Sequence, residues 1–167
     1  MFRILQGDVG SGKTIVSLLT IANIIESNNQ CALMSPTGIL AHQHYKLAQE
    51  IYKNKFFKIE FLTGKTELKK RNEILDNLKK GKIDLLIGTH ALFQKKINFK
   101  NLGLAVIDEQ HKFGVKQRSE LAKKGGDNCD VLLMSATPIP RTMMMSLYGD
   151  MDVSKITEKP LKRKKIL

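Results

Sequence analysis

The sequence contains no apolar run that approaches the ~18–20 residues needed to cross a lipid bilayer. Its first residues, Met1 to Gly7, also lack the apolar core and the small-residue cleavage site of a secretory signal. We therefore expect neither a secreted nor a membrane-spanning protein, and we expect a cytoplasmic location.

Cysteine is scarce, with two residues in a chain of 167. Cys31 and Cys129 lie far apart, neither belongs to a Cys-x-x-Cys pair, and each adjoins an apolar stretch. Free thiols, buried or at the edge of a strand, are therefore expected in place of a disulfide or a metal site. The histidines His42, His44 and His90 have no cysteine or acid spaced to complete a metal-binding set.

Acidic residues are few compared with basic ones, 16 against 28, which leaves a formal net charge of +12. Such a surplus favours polyanionic partners, either nucleic acid or nucleotides. The alternative from composition alone is a lysine-rich coding bias with solvated charged faces. The length fits one domain, and 42% hydrophobic with 26% charged residues is typical of a soluble globular fold.

Short apolar runs alternate with longer amphipathic stretches along the chain. The short runs, bounded by Gly, Pro, Asn or Asp, predict strands at Cys31–Ser35, Phe57–Leu62, Ile83–Ile87, Leu104–Ile107 and Val131–Met134. The longer stretches predict helices at Lys13–Ile25, Ile39–Lys53 and Leu68–Lys80. The first helix, mostly apolar, is expected to be largely buried. This alternation predicts an α/β fold with a mostly parallel sheet between helices.

One segment matches the phosphate-binding pattern Gly-x-x-x-x-Gly-Lys-Ser/Thr in full: Gly7, Asp8, Val9, Gly10, Ser11, Gly12, Lys13 and Thr14. An apolar Phe2–Leu5 segment precedes it and an apolar helix follows, which is the context this loop requires. Its backbone N–H groups and the helix N-terminus can surround phosphates. Lys13 can reach the β- and γ-phosphates, and the Thr14 hydroxyl can ligate Mg²⁺.

A second candidate site follows the apolar run Leu104–Ile107, where two acids, Asp108 and Glu109, stand next to each other. At the carboxyl edge of a parallel sheet these acids would face the phosphate loop. Asp108 is predicted to hold Mg²⁺, through water, and Glu109 to deprotonate the attacking water. The alternative is a strand-ending turn with solvated acids.

With the phosphate loop, the DEQH box Asp108-Glu109-Gln110-His111 resembles that of the first RecA-like motor domain of superfamily-2 helicases of the DExH type. Five segments extend the resemblance to the RecG family of bacterial ATP-dependent DNA branch-migration helicases: Gln6–Thr14, Ser35–Thr37, Gly88–Leu92, Asp108–Val115 and Ser135–Thr142. The resemblance covers about residues 3–163. The related transcription-repair coupling factor and primosomal replication-restart helicase usually carry a second glutamate where Gln110 stands.

The resemblance implies ATP and Mg²⁺ as cofactors, branched DNA (replication forks and Holliday junctions) as the partner, and a role for each matching residue. It places Gln110, His111, Ser135, Ala136 and Thr137 in the coupling of ATP hydrolysis to domain movement. It places Pro36, Thr37, Thr63, Gly64, Thr89 and His90 against DNA. Short hydroxyl side chains at loop ends suit contacts with phosphates. For Thr37, Thr63 and Thr89, helix capping or turn stabilisation is the alternative.

The resemblance also implies that residues 1–157 are one motor domain and residues 158–167 a basic linker. An amino-terminal wedge domain, an adenine-gripping segment and a second RecA-like domain with its arginines are then expected elsewhere in a larger bacterial protein. Two positions depart from the family: Gly38, where a glutamate is common, and Lys162, where the stretch is unusually basic.

Two other functions stay open at this stage. The isolated chain could bind ATP and DNA with negligible turnover, or it could be the motor domain of the related transcription-repair coupling factor. A kinase or GTPase of the phosphate-loop class is disfavoured, because the guanine-reading Asn-Lys-x-Asp pattern is missing.

Overall fold

The computed structural model describes residues 1–108, 129–137 and 151–158. Within them the strands are β1 (Phe2–Gly7), β2 (Gln30–Met34), β3 (Ile59–Leu62), β4 (Leu85–Gly88), β5 (Leu102–Ile107), β6 (Asp130–Ser135) and β7 (Asp152–Ile156). The helices are α1 (Lys13–Glu26), α2 (Gly38–Ile51) and α3 (Leu68–Lys79), with a 3₁₀ helix at His90–Phe93.

The described strands form a single sheet in the order β3-β4-β2-β5-β6-β1-β7, and every pairing is parallel. Parallel sheets of this kind are covered on both faces, which explains the uninterrupted apolar runs of the inner strands. All five residues of β2 and all four of β4 are buried. The predicted α/β fold with a parallel sheet is therefore confirmed.

Alternate residues of each strand feed two separate hydrophobic cores, because successive side chains point to opposite faces of a sheet. Ala32 and Met34 of β2 pack on the face that also holds Ile74 and Leu78 of α3. The opposite core contains the other face of the sheet with the buried residues of α1 and α2: Leu18, Ile21, Ile25, Ala41 and Ala48.

The predicted strands are present, with shifted ends. The strand predicted from Phe57 begins at Ile59, because Phe57 packs its ring against Tyr52 at 5.3 Å and Lys58 is held by Asp84, whose Oδ2 accepts from Lys58 N at 2.7 Å. The strand predicted from Ile83 begins at Leu85. Helix ends agree with prediction to within two residues.

The largest omission from the prediction is β7, an edge strand paired with β1. Its sequence Asp-Val-Ser-Lys-Ile is mostly polar, so no apolar run marks it. The strand is held by Arg3 of β1, which donates through Nη1 to Ser154 Oγ at 2.8 Å and through Nη2 to Asp152 Oδ2 at 2.9 Å.

The prediction that α1 is largely buried is wrong for one of its faces. Leu18 and Ile21 are fully buried against the sheet, whereas Ile15, Val16 and Leu19 are 43%, 40% and 58% exposed. A helix turns about 100° per residue, so a helix packed on one sheet face turns part of even an apolar sequence away from it.

Both cysteines are free thiols, as predicted: Cys31 is buried and Cys129 is half-buried. Burial, together with a smaller effect of the nearby Asp130, raises the pKa of Cys129 to about 11, so its thiolate is scarce at neutral pH. Among the described residues, no helix has the length and apolar character needed to cross a membrane. Nearly all of the predicted linker lies outside the described residues, and the domain boundary stays a prediction.

Candidate nucleotide and nucleic-acid site

The carboxyl ends of the parallel strands meet at one edge of the sheet, where α/β folds bind their ligands. Predicted site residues follow six of the strands at this edge: the phosphate loop at β1, Pro36 and Thr37 after β2, Thr63 and Gly64 after β3, Thr89 and His90 after β4, Asp108 after β5, and Ala136 and Thr137 after β6. The fold thus gathers residues that are spread over the whole described chain.

The phosphate loop turns sharply between β1 and α1. Gly10 and Gly12 have φ angles of 75° and 96°, in the left-handed region that side chains with a Cβ rarely adopt. Ser11 N donates to Asp8 O at 3.1 Å and closes the turn. A Cβ on Gly7 would lie 2.5 Å from Ser11 Oγ, so the loop is also too tight for a side chain at its start.

Lys13 folds back over this loop. Its Nζ donates to Gly7 O at 2.6 Å and to Asp8 O at 2.9 Å. The ammonium group is therefore held at the mouth of the loop by two neutral carbonyl groups. An anionic phosphate oxygen would compete well for it, because charge-assisted hydrogen bonds are about twice as strong as neutral ones.

The N-terminus of α1 is prepared for an anion. It has neither a side-chain cap nor an acid in its first turn, so its free N–H groups and its positive dipole end lack a side-chain partner. The Ser11 hydroxyl is also buried with no hydrogen-bond partner within the described residues. An unpaired buried polar atom is costly, and a phosphate oxygen would satisfy it.

Asp108 lies directly after β5, and its backbone extends the sheet, since Asp108 N donates to Met34 O at 2.8 Å. Its Oδ2 accepts a hydrogen bond from His44 Nε2 on α2 at 2.7 Å. In the strand order, β5 and β1 are separated by β6 alone, so Asp108 shares the sheet edge with the phosphate loop. The predicted residues Glu109, Gln110 and His111 lie outside the described residues.

The end of β6 lies between Asp108 and the phosphate loop in the strand order. Ser135 Oγ donates to Thr137 O at 2.9 Å and lies 3.2 Å from Thr137 Oγ1, which closes a small turn. Ala136 lines a cavity of about 300 Å³ together with Gly7 and Asp8 of the phosphate loop. Lys155 at the end of β7 also lines it, a residue that sequence reasoning missed because β7 itself was missed.

A larger cavity of about 720 Å³ opens where β2, β3 and β4 end. It is lined by all six residues that the resemblance placed against DNA: Pro36, Thr37, Thr63, Gly64, Thr89 and His90. The structure brings these residues together although they come from three separate loops. Their contact with DNA stays a prediction.

Two threonines of this cavity also have structural roles, as the alternative interpretation expected. Thr37 is the N-cap of α2, and its side chain accepts from Leu40 N at 3.3 Å. The Thr63 hydroxyl accepts from Lys65 N at 3.3 Å within a turn. Thr89 is 5% exposed and precedes the 3₁₀ helix, but its side chain does not cap that helix. The hydroxyls of Thr37 and Thr63 therefore shape their loops, whatever else they contact.

Sequence reasoning missed the aromatic wall of the cavity. Phe61 and His42 line the cavity with their ring centroids 5.5 Å apart, and Tyr45 packs against Phe61 at 5.5 Å without being a lining residue. Burial raises the pKa of the Tyr45 hydroxyl, and the nearby Glu60 raises it further. Lys65 lines the rim and adds a positive charge. The sequence signal for this wall was the presence of ring-bearing residues in α2 and β3, a pattern that is equally typical of a hydrophobic core.

The comparison with known families now decides the assignment. The sequence pattern of DEAD/DEAH box helicases matches residues 3–146. The chain belongs to this family. The helicase motor fold predicted from the motifs is therefore confirmed, and the family implies the use of a nucleotide.

Within the helicases, the similarity is to RecG. The chain is 51% identical over 168 residues to the ATP-dependent DNA helicase RecG of Aquifex aeolicus and 50% identical over 167 residues to that of Streptococcus pneumoniae. Each alignment covers 100% of this chain but only 21% and 24% of those relatives. The predicted resemblance to RecG is confirmed, and the chain spans less than a quarter of the relatives' length.

Solved helicase structures support the same conclusion. A structure of RecG bound to a three-way DNA junction is similar with a TM-score of 0.81 and 43% identity, and the match covers 98% of this chain and 22% of that one. A DEAD box protein from Methanococcus jannaschii has a TM-score of 0.73 at 22% identity over 94% of this chain and 46% of its own, which shows the shared fold alone.

Proposed function

We propose that this chain is the ATP-binding motor domain of a RecG-like helicase that couples ATP hydrolysis to movement along branched DNA. One observation carries the proposal: the phosphate loop, Asp108 and the 720 Å³ cavity share one edge of a single sheet. A motor domain needs its nucleotide site and its DNA site on one rigid body, so that a change of the bound nucleotide can alter the contacts with DNA.

The nucleotide site uses groups of this chain. Lys13 exchanges the Gly7 and Asp8 carbonyls for phosphate oxygens, and the N–H groups at the start of α1 surround the same anion. Thr14 and Asp108 would hold Mg²⁺, Asp108 through water. This donor set fits the ion, because Mg²⁺ in nucleotide sites takes one or two carboxylates with substrate phosphates and water. When bound, Mg²⁺ neutralises charge on the phosphates.

Hydrolysis needs a base to orient and deprotonate the attacking water, and Glu109 is the residue proposed for this role. Gln110, His111 and Ser135–Thr137 are proposed to pass the state of the nucleotide to the rest of the protein. The cavity that Ala136 shares with Gly7 and Asp8 supports this role for the β6 end. Arginines from a second motor domain are proposed to complete the site, so the isolated chain is expected to turn over very little ATP.

Branched DNA is proposed as the track, in a bacterial cytoplasm. The similarity to RecG bound to a three-way junction supports this substrate, and the relatives are bacterial. The six candidate DNA residues and Lys65 line one cavity and belong to a chain of net charge +12. Loop backbone and short hydroxyls suit phosphate contacts, which position a protein on DNA without reading sequence.

Nucleotide binding by the 167-residue chain tests the first half of the proposal. Titration with a fluorescent ATP analogue in Mg²⁺ should show saturable binding that Lys13→Ala weakens about 10- to 150-fold, in line with the ~1.5–3 kcal/mol of a hydrogen bond to a charged group. Lys46→Ala, on the exposed side of α2, is the matched control and should bind as the wild type does. Equal affinity of Lys13→Ala and wild type would overturn the assignment of the phosphate loop.

A further inference from the structure

A buried histidine faces the carboxylate proposed to hold Mg²⁺. His44 lies on α2, 64 residues before Asp108 in the chain, and its Nε2 is 2.7 Å from Asp108 Oδ2. His44 is 8% exposed, and the two side chains are 11% and 14% exposed. The pair is therefore nearly sealed from bulk water, where a hydrogen bond is stronger than at a surface.

The hydrogen bond between His44 and Asp108 has a defined donor and acceptor. An ionised carboxylate can only accept hydrogen bonds, so the imidazole donates its Nε2–H to Asp108 Oδ2. The bond uses one of about four acceptor sites on the carboxylate, and the others stay available to water. It therefore restricts the orientation of Asp108 without blocking its function as an acceptor.

Both partners are held by rigid elements. Asp108 is fixed by its backbone bond to Met34 O at 2.8 Å. His44 is fixed by α2, which is capped by Thr37 and anchored in the core through Ala41 and Ala48. A hydrogen bond between two preorganised groups loses little conformational entropy when it forms, so it can orient the carboxylate effectively.

The same helix lines the candidate DNA cavity. Thr37, Gly38 and Ile39 at its start, and His42 one turn later, are cavity residues. His44 follows on the buried side of α2. One helix thus touches the cavity at its first turns and Asp108 through His44, which is a physical connection between the two halves of the site.

We propose that His44 is a positioning residue that orients the Asp108 carboxylate for water-mediated binding of Mg²⁺ with the nucleotide. The inference rests on the proposed function, because it assigns a role to a residue within that nucleotide site. Groups that hydrogen-bond metal-site ligands typically contribute 10- to 100-fold to metal affinity.

A pair of substitutions of similar size tests this role. Gln and Met both have long unbranched side chains, but Gln carries an N–H donor at its end and Met does not. Mg²⁺ is titrated, and the tightening of fluorescent ATP analogue binding is followed. His44→Met should raise the Mg²⁺ concentration at the midpoint of this titration by about 10-fold or more. His44→Gln should restore most of that loss. Affinity measured in EDTA should be equal in all three proteins, because the phosphate loop is untouched.

Combining His44→Met with Asp108→Asn tests whether His44 acts through the Asp108 carboxylate. If His44 acts through the carboxylate, His44→Met should cause no further change of the Mg²⁺ midpoint in an Asp108→Asn protein. An equal additional loss there would overturn the proposal, as would an unchanged midpoint in His44→Met. A wild-type protein that binds no nucleotide would instead contradict the proposed function, so the two failures are distinguishable.

A measurement on the wild type covers the case in which the His44 variants do not fold. Nitrogen NMR of the histidine rings should show His44 protonated at Nε2. Its resonance should move when Mg²⁺ is added to the nucleotide complex and stay in place when nucleotide is added with EDTA. A His44 signal that ignores Mg²⁺, or one protonated at Nδ1 alone, would overturn the proposal.

Discussion

At the scale of single residues, buried polar groups fall into two classes. Gln30 is 5% exposed and uses its whole amide: Nε2 donates to Leu78 O at 3.0 Å and Ile83 O at 2.7 Å, and Oε1 accepts from Lys100 N at 2.7 Å and Asn101 N at 3.1 Å. It joins the end of α3 to the segments that precede β4 and β5 at the amino edge of the sheet. A fully satisfied buried group of this kind serves stability.

The buried hydroxyls of Ser11 and Ser35 differ, since neither finds a hydrogen-bond partner within the described residues. Both lie at the opposite, carboxyl edge, in the phosphate loop and directly after β2. The two buried hydroxyls without a described partner thus both lie on the ligand side of the sheet.

Replacement of Gln30 should therefore destabilise the fold. Gln30→Ala removes one partner from each of four backbone groups, of which Leu78 O keeps Gly81 N as a donor, and each buried group left unsatisfied costs about 1–3 kcal/mol before relaxation. With solvent entering the gap, we expect a loss of about 3 kcal/mol in the free energy of unfolding, measured by urea denaturation. The exposed Gln49→Ala should change it by less than ~0.5 kcal/mol. A loss below ~1 kcal/mol for Gln30→Ala would show that the amide contributes little.

At the scale of elements, two glycines near the 720 Å³ cavity have opposite constraints. Gly88 ends β4, and a Cβ there would lie 2.0 Å from the backbone oxygen of Leu62 in β3. Gly38 is the first residue of α2, and a Cβ there would meet nothing within 4 Å. One glycine is thus required by the close approach of two strands, whereas the fold does not require the other.

Substitution of Gly88 and of Gly38 by alanine tests which of the two glycines the fold requires. Gly88→Ala should cost about 1–3 kcal/mol of stability, as overpacking does, because the obstacle is backbone and not a flexible side chain. Gly38→Ala should be neutral or stabilise by up to ~1 kcal/mol, since alanine is the better helix former. Thermal unfolding of both variants checks the order. A Gly88→Ala protein as stable as the wild type would mean that β3 and β4 can separate at this point without cost.

At the scale of the whole molecule, the net charge of +12 is the dominant property. Neutralising DNA phosphates releases counterions, so affinity should fall with salt by about 0.9 log units per contact for each tenfold rise. The described residues contain no motif that reads base edges, and binding through phosphates does not depend on sequence.

DNA binding by this chain should accordingly be weak, salt-sensitive and nearly equal on duplexes of unrelated sequence. Titrations at two salt concentrations on two such duplexes measure it. Lys65→Ala, at the rim of the cavity, should weaken binding on both duplexes alike and reduce the salt slope by about 0.9. Affinity that is flat with salt, or a strong preference for one sequence, would contradict the prediction.

Catalysis also belongs to this scale, because the proposed site is completed by arginines of a second motor domain. In a longer chain that carries both domains, Glu109→Gln should keep ATP binding and lower turnover by about 10²–10⁴-fold, since the amide retains the shape but cannot accept the proton. Steady-state ATPase and nucleotide affinity check this, with the exposed Glu50→Gln as control. Near-normal turnover of Glu109→Gln would assign the base to another residue.

Much of this protein follows from its sequence alone. The phosphate loop is a contiguous pattern of eight residues, and its function depends on local backbone geometry that glycine makes possible. The inner strands are mostly apolar because both of their faces are covered, so composition reveals them. Local signals of this kind were sufficient for the α/β fold and for the resemblance to RecG.

The tertiary structure alone decided what depends on contacts between distant segments. Strand β7 has no apolar run and is held by Arg3, about 150 residues away. The partner of Asp108 is His44, 64 residues earlier, and no spacing rule connects them. The cavity residues come from three loops that become neighbours only through the strand order. Sequence patterns indicate the local conformation of each segment, whereas the contacts between distant segments depend on how all segments pack together.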